Sequence, residues 1–158
     1  MKSNKIQYKG FTLIELMVVV AIVSILLALA IPSFTETLAR RRIEGVSNEL
    51  NADLQYVKTQ AVNNNADVSL ITNTTGYVIS GITSDGNIVY KTLVLNSNLT
   101  ITQPVTITYN AFRAFPTTAA VLTIGSSQTT ASLKISAQTT GRILTCTPSG
   151  MMIGYTAC

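Results

Sequence analysis

The chain has 158 residues, 47% of them apolar and only 11% charged, less than half the usual quarter. Its length allows one domain of ordinary size plus an anchor, and the lack of any His sets aside most imidazole-based acid–base and metal chemistry. The formal charge of +4 is concentrated at the start: without residues 1–10, which hold Lys2, Lys5 and Lys9, eight basic side chains face seven acidic ones, too even a balance to argue for nucleic-acid binding.

Residues 1–10 are polar and basic, and read as a leader that is cut off. Residues 11–31 are apolar except for Thr12, Glu15 and Ser24. As a helix they reach about 30 Å, enough to cross a hydrocarbon core. No small-residue cleavage pattern follows Ala30, where a conventional signal peptide would have one. The break falls before the apolar run, at Gly10-Phe11. The expected transmembrane helix is 11–32.

After Pro32 the pattern stays helical and becomes amphipathic. Val46, Leu50, Leu54, Val57 and Ala61 recur at helical spacing on one face. Glu36–Arg40 and Arg40–Glu44 form i,i+4 pairs on the other. This continuation covers 33–65, and Asn63-Asn64-Asn65 ends it because asparagine favours turns. Arg40-Arg41-Arg42 reads first as a solvated face, with lipid headgroups or a neighbour's acids as alternatives.

From residue 66 to 158 the composition turns to Thr, Val, Ile, Ser and Tyr, and a β-rich globular domain is expected. Candidate strands are 67–72, 76–81, 87–95, 99–109, 119–124, 131–136, 141–146 and 151–156. Asp85-Gly86 and Pro148-Ser149-Gly150 read as turns, and Pro104 as an edge or bulge position. A sheet with one apolar face would cover the helix.

Glu15 has two readings. Thr12-x-x-Glu15 fits a capping box that satisfies free N–H groups at the helix start. Yet a carboxylate in an apolar span costs about 2.5–3.5 kcal/mol near the bilayer centre and somewhat less at its edge. A neighbouring subunit's new N-terminal amine at Phe11 would lower that cost and set the register between chains.

Lys9-Gly10-Phe11-Thr12-Leu13-Ile14-Glu15-Leu16, with the apolar run behind it, resembles the class III signal of type IV pilins and type II secretion pseudopilins. The resemblance implies cleavage by a prepilin peptidase between Gly10 and Phe11, N-methylation of Phe11, an assembly role for Glu15, and a helix break at Pro32. It implies an α+β pilin-like fold: a long N-terminal helix, half transmembrane and half amphipathic, packed on a C-terminal antiparallel β-sheet domain. The N-terminus would be cytoplasmic and the C-terminal domain periplasmic, in a single-pass inner-membrane protein that later joins a pilus.

Arg41-Arg42-Ile43-Glu44, Asn48-Glu49-Leu50 and the run Leu54–Val62 resemble the minor pilin and pseudopilin group called GspH/FimT, as does Thr140-Gly141-Arg142-Ile143-Leu144-Thr145-Cys146. This favours a minor pilin that primes or joins a type IV pilus at its tip, with major and minor pilins, the prepilin peptidase and the inner membrane as partners. The alternatives are a GspH-type pseudopilin of the type II secretion system and a DNA-binding minor pilin for natural transformation. The last would use Arg142, although the second arginine of the Gly-Arg-x-Arg motif is Leu144 here. In the oxidising compartment so implied, Cys146 and Cys158 are expected to form a disulfide closing a C-terminal hairpin, ahead of free thiols or a metal site. No catalytic constellation, cofactor or metal site is expected.

Overall fold

The computed structural model describes residues 10–83 and 86–158, apart from the side chains of residues 29–32 and 83. The expected leader before Gly10 and the expected turn position Asp85 lie outside the described residues. The chain divides into two compact units, one ending at Thr35 and one spanning Glu36–Cys158.

Helix α1 (Leu13–Asn63) begins in the first unit and ends in the second. Its start is capped: Thr12 Oγ1 accepts the Glu15 N–H at 3.3 Å, and Thr12 O accepts the Leu16 N–H at 3.2 Å. This is the N-cap geometry that threonine favours. The run to Leu27 then carries its apolar side chains around the whole helix, all of them exposed. It is long and apolar enough to cross a membrane. The Ser24 hydroxyl donates to Val20 O at 2.7 Å, so the polar group inside the run is satisfied within the helix. The backbone is helical at position 32, whose side chain lies outside the described residues.

In the second unit the helix buries Ala39, Ile43, Ser47, Leu50, Leu54, Val57 and Ala61, at steps of three and four that keep one stripe facing inward. The stripe is longer than the expected face, and Val46 sits half-buried at its margin. The helix ends at Asn63. Asn65 takes the left-handed conformation (φ 48°), and the Ala66 and Asn65 N–H groups donate to Ala61 O and Val62 O, each at 3.2 Å. That pair of bonds is a Schellman cap, with Asn standing in for Gly.

Eight strands follow: β1 (Val68–Asn73), β2 (Gly76–Thr83), β3 (Gly86–Val94), β4 (Leu99–Ile101), β5 (Thr106–Tyr109), β6 (Ala120–Ser126), β7 (Thr129–Ala137) and β8 (Ile143–Ser149). They form two four-stranded antiparallel sheets, ordered β3-β2-β1-β5 and β4-β6-β7-β8. One core unites the helix stripe with Leu70, Tyr77 and Ile79 of the first sheet and Leu122, Leu133 and Ile135 of the second.

Three expectations are corrected. The single strand expected over 99–109 is two strands in different sheets, separated around Gln103-Pro104. Pro104 therefore lies in a crossover rather than at an edge or bulge. Thr72 fixes that crossover: its N–H donates to Val105 O at 2.8 Å and its Oγ1 accepts the Val105 N–H at 2.7 Å. Second, Pro148-Ser149 lies inside β8 and the chain turns at Gly150 (φ 68°). A Cβ on Gly150 would stand 2.7 Å from Ala131 Cα, so only glycine fits there. Third, no strand forms over 151–156. The tail instead places Met152 in the core and touches β8 by one parallel bridge, Thr147–Ala157.

Candidate functional site

The N-terminal residues singled out by the sequence cluster at the start of α1. Gly10 is exposed, and a Cβ built on it meets nothing within 4 Å. The described fold thus gives no packing reason for glycine there. Phe11 is 86% exposed. Glu15 stands in the first helical turn, where free N–H groups and the helix dipole favour a carboxylate. Its backbone N–H completes half of the expected capping box. Its carboxylate has no ion-pair partner among the described residues. From Leu13 to Leu27 the chain therefore offers an exposed apolar helix surface with a single charge near its start.

In the basic run at 40–42, Arg40 and Arg41 take different partners. Arg40 pairs with Glu36 at 2.7 Å and also donates to Met151 O in the C-terminal tail. The hydrogen bond that Arg40 donates to Glu36, together with the Arg40 charge, holds the Glu36 carboxyl below its ordinary pKa. The expected Arg40–Glu44 pair is replaced by Arg41–Glu44 at 3.4 Å, because Arg40 is committed to Glu36 and the tail.

Sequence reasoning missed a polar cluster between α1 and the first sheet. Tyr77 donates to Asp53 Oδ2 at 2.6 Å. Lys91 reaches Asp53 Oδ2 at 2.7 Å and Glu49 Oε1 at 2.9 Å. Burial, reinforced by the Asp53 hydrogen bond and charge, pushes the Tyr77 phenol far above its ordinary range. Burial alone would lower Lys91, but its hydrogen bonds and charge contacts with Asp53 and Glu49 outweigh that and raise it. The available signals were a lone Lys in an apolar strand and two acids four residues apart beside the buried stripe.

Cys146 and Cys158 are joined by a disulfide, with Cα atoms 5.1 Å apart. It ties β8 to the C-terminal tail, not two strands of a hairpin. Two backbone bonds run beside it, Thr147 N–H to Thr156 O at 2.9 Å and Cys158 N–H to Thr147 O at 3.1 Å. Arg142 is exposed in the turn between β7 and β8. Gly141 before it has φ 82°, and a Cβ there would lie 2.5 Å from the Phe115 ring. Ring packing thus accounts for the glycine of the Gly-Arg pair. Leu144, in place of a second arginine, is half-buried. Among the described residues no group of three or more His, Cys, Asp or Glu is arranged to hold a metal.

Two family models match this architecture. Residues 6–31 match the prokaryotic N-terminal methylation motif. Residues 46–150, well over half of the chain, match the type II transport protein GspH. The chain belongs to the GspH family. Its fold is similar to that of the minor pseudopilin EpsH from the type 2 secretion system of Vibrio cholerae, with TM-score 0.57 and 14% identity over 68% of this chain and 98% of that one. The type IV major fimbrial protein FimA of Dichelobacter nodosus is 62% identical over 40 residues, 25% of each chain. A fimbrial protein of Pseudomonas aeruginosa is 52% identical over 44 residues, 28% of this chain and 29% of that one. The GspH-family chain thus spans about a quarter of the length of these curated relatives. Between its two matched regions lie residues 32–45, the stretch holding Pro32 and the arginine run.

Proposed function

We propose that this GspH-family chain is a minor pilin, a structural subunit that primes or joins a type IV pilus at its tip. A prepilin peptidase cuts between Gly10 and Phe11, and Phe11 is N-methylated. Residues 11–32 anchor the subunit in the inner membrane, with the N-terminus cytoplasmic and residues 66–158 periplasmic, until it enters the filament beside other pilins. Pro32 is where the helix loosens on assembly. The observation that carries this reading is the exposed apolar helix with one carboxylate, Glu15, in its first turn and unpaired among the described residues. Such a surface suits a layer of like helices, and the charge suits a neighbour's N-terminal amine.

The test is Glu15→Ala in the full chain. Processing at Gly10 continues by mass spectrometry, while the subunit disappears from sheared filaments. Normal incorporation would overturn the pairing role.

A second reading, a pseudopilin of a type II secretion system, is supported by the GspH match over 46–150 and the fold shared with EpsH. Deleting the chain's gene separates the two: loss of surface pili supports the first, and loss of protein secretion with intact pili supports the second.

A further inference from the structure

The loop between β5 and β6 is a rigid display. Asn110 Oδ1 accepts the Phe112 N–H at 2.9 Å and the Arg113 N–H at 3.3 Å. Asn110 O accepts the Ala114 N–H at 2.9 Å, and the Asn110 N–H donates to Phe115 O at 3.1 Å. Asp67 Oδ1 takes the Ala111 N–H at 2.9 Å and roots the loop. A side chain as large as phenylalanine gains nothing from a solvated tip, yet Phe112 is 86% exposed. Beside it is a cleft of about 620 Å³ that Phe112, Arg113 and Phe115 help to line.

Three cations stand around this loop, against one carboxylate, Asp67, which is bonded to the Ala111 N–H at its root. Arg113 is on the loop, Lys58 Nζ stands 5.9 Å over the Phe115 ring, and Arg142 follows the glycine packed on that ring's edge. None of the three has a carboxylate partner among the described residues. An exposed aromatic, an arginine and a cleft are the makings of an interface anchor.

We propose that this loop is a docking surface for an acidic segment of a partner protein. Phe112 is the apolar anchor, and Arg113, flanked by Arg142 and Lys58, recognises the partner's carboxylates. Nucleic acid fits less well. A phosphate backbone needs a track of cations, but here three cations come from three separate elements, and Lys58 already stands over the Phe115 ring. The surface lies wholly in the second unit, so this inference goes beyond the filament reading and does not depend on Glu15.

The test is photo-crosslinking in cells, in the full chain, with benzoylphenylalanine replacing Phe112. The crosslinked residue is then mapped by mass spectrometry. The expected product joins another polypeptide within a few residues of an Asp or Glu. Arg113→Glu should lower its yield about tenfold, the effect of like charges brought together. Changing the mapped acid to Lys should restore it. Crosslinks to nucleic acid or lipid, no crosslink, a yield indifferent to Arg113→Glu, or failure of the charge swap would each overturn the proposal.

Discussion

The phenol of Tyr77 donates to the carboxylate of Asp53 at 2.6 Å across the interface between helix α1 and strand β2. Asp53 is 7% exposed and Tyr77 only 1%, so water contributes little to either group. Tyr77→Phe should lower the unfolding free energy by about 1–2 kcal/mol. Asp53→Ala should cost more, about 2–3 kcal/mol, because it strands both the phenol and Lys91. The Lys91 share is reduced because that side chain is about a third exposed. Urea titration of both variants measures the order, and equal costs would contradict the shared-acceptor geometry.

The same cluster fixes a pH dependence. The Tyr77 and Lys91 pKa values are both raised in the fold. Their stabilisation is complete below the ordinary values of 10.0 and 10.5, and is lost as pH rises beyond them toward the folded values. Glu36 has the opposite sign: its lowered pKa gives a contribution present above the ordinary carboxylate value and lost in acid. Stability should therefore fall as pH climbs past about 10, and less steeply in Tyr77→Phe. Thermal melts across that range check the difference in slope.

Gly141→Ala combines a left-handed backbone position with a clash against Phe115. A loss of about 1–3 kcal/mol is expected. Adding Phe115→Leu should recover the steric part and leave the backbone part, so a double-mutant cycle in chemical denaturation separates the two.

Replacing both cysteines by serine should cost about 2–3 kcal/mol, since residues 146–158 close a short loop. Hydrogen exchange should show the loss first in the tail amides of Tyr155 and Cys158, which bond to Met152 O and Thr147 O.

Ser47 Oγ is buried and has no hydrogen-bond partner among the described residues. Ser47→Ala should raise stability by about 1 kcal/mol, because an unmet hydroxyl is removed from the core. A shift of the denaturation midpoint upward, with unchanged slope, is the expected result.

The helix was legible because its signals are local. Apolar spacing marked Leu50, Leu54, Val57 and Ala61, and the asparagine run marked the C-cap. Ala39 and Ser47 escaped because small and polar residues are weak hydrophobic markers, and Ile43, strongly apolar itself, follows directly on an arginine run that reads as a solvated face. Most strands were legible from β-branched alternation, but their division into two sheets was not. Nothing local in 99–109 says that Leu99–Ile101 and Thr106–Tyr109 pair with different partners; that depends on Thr72, some thirty residues earlier. The Asp53–Tyr77–Lys91 cluster was invisible for the same reason, since its members lie on three separate elements. The resemblance at Gly10, Phe11 and Glu15 carried the family, whereas the exposed Phe112 looked like any loop residue until its turn was seen.

The large apolar side chains from Leu13 to Leu27 remain 46% to 76% exposed. The core of Glu36–Cys158 is built from residues from Ile43 onward, and its unfolding free energy should be indifferent to what surrounds the apolar run. Lipid tails and neighbouring helices are equivalent solvents for that stretch, to first order. On the proposed filament role, moving from one to the other would be a partitioning step that leaves the fold of Glu36–Cys158 intact. On that role its cost would be set by how well Glu15 is met at the destination.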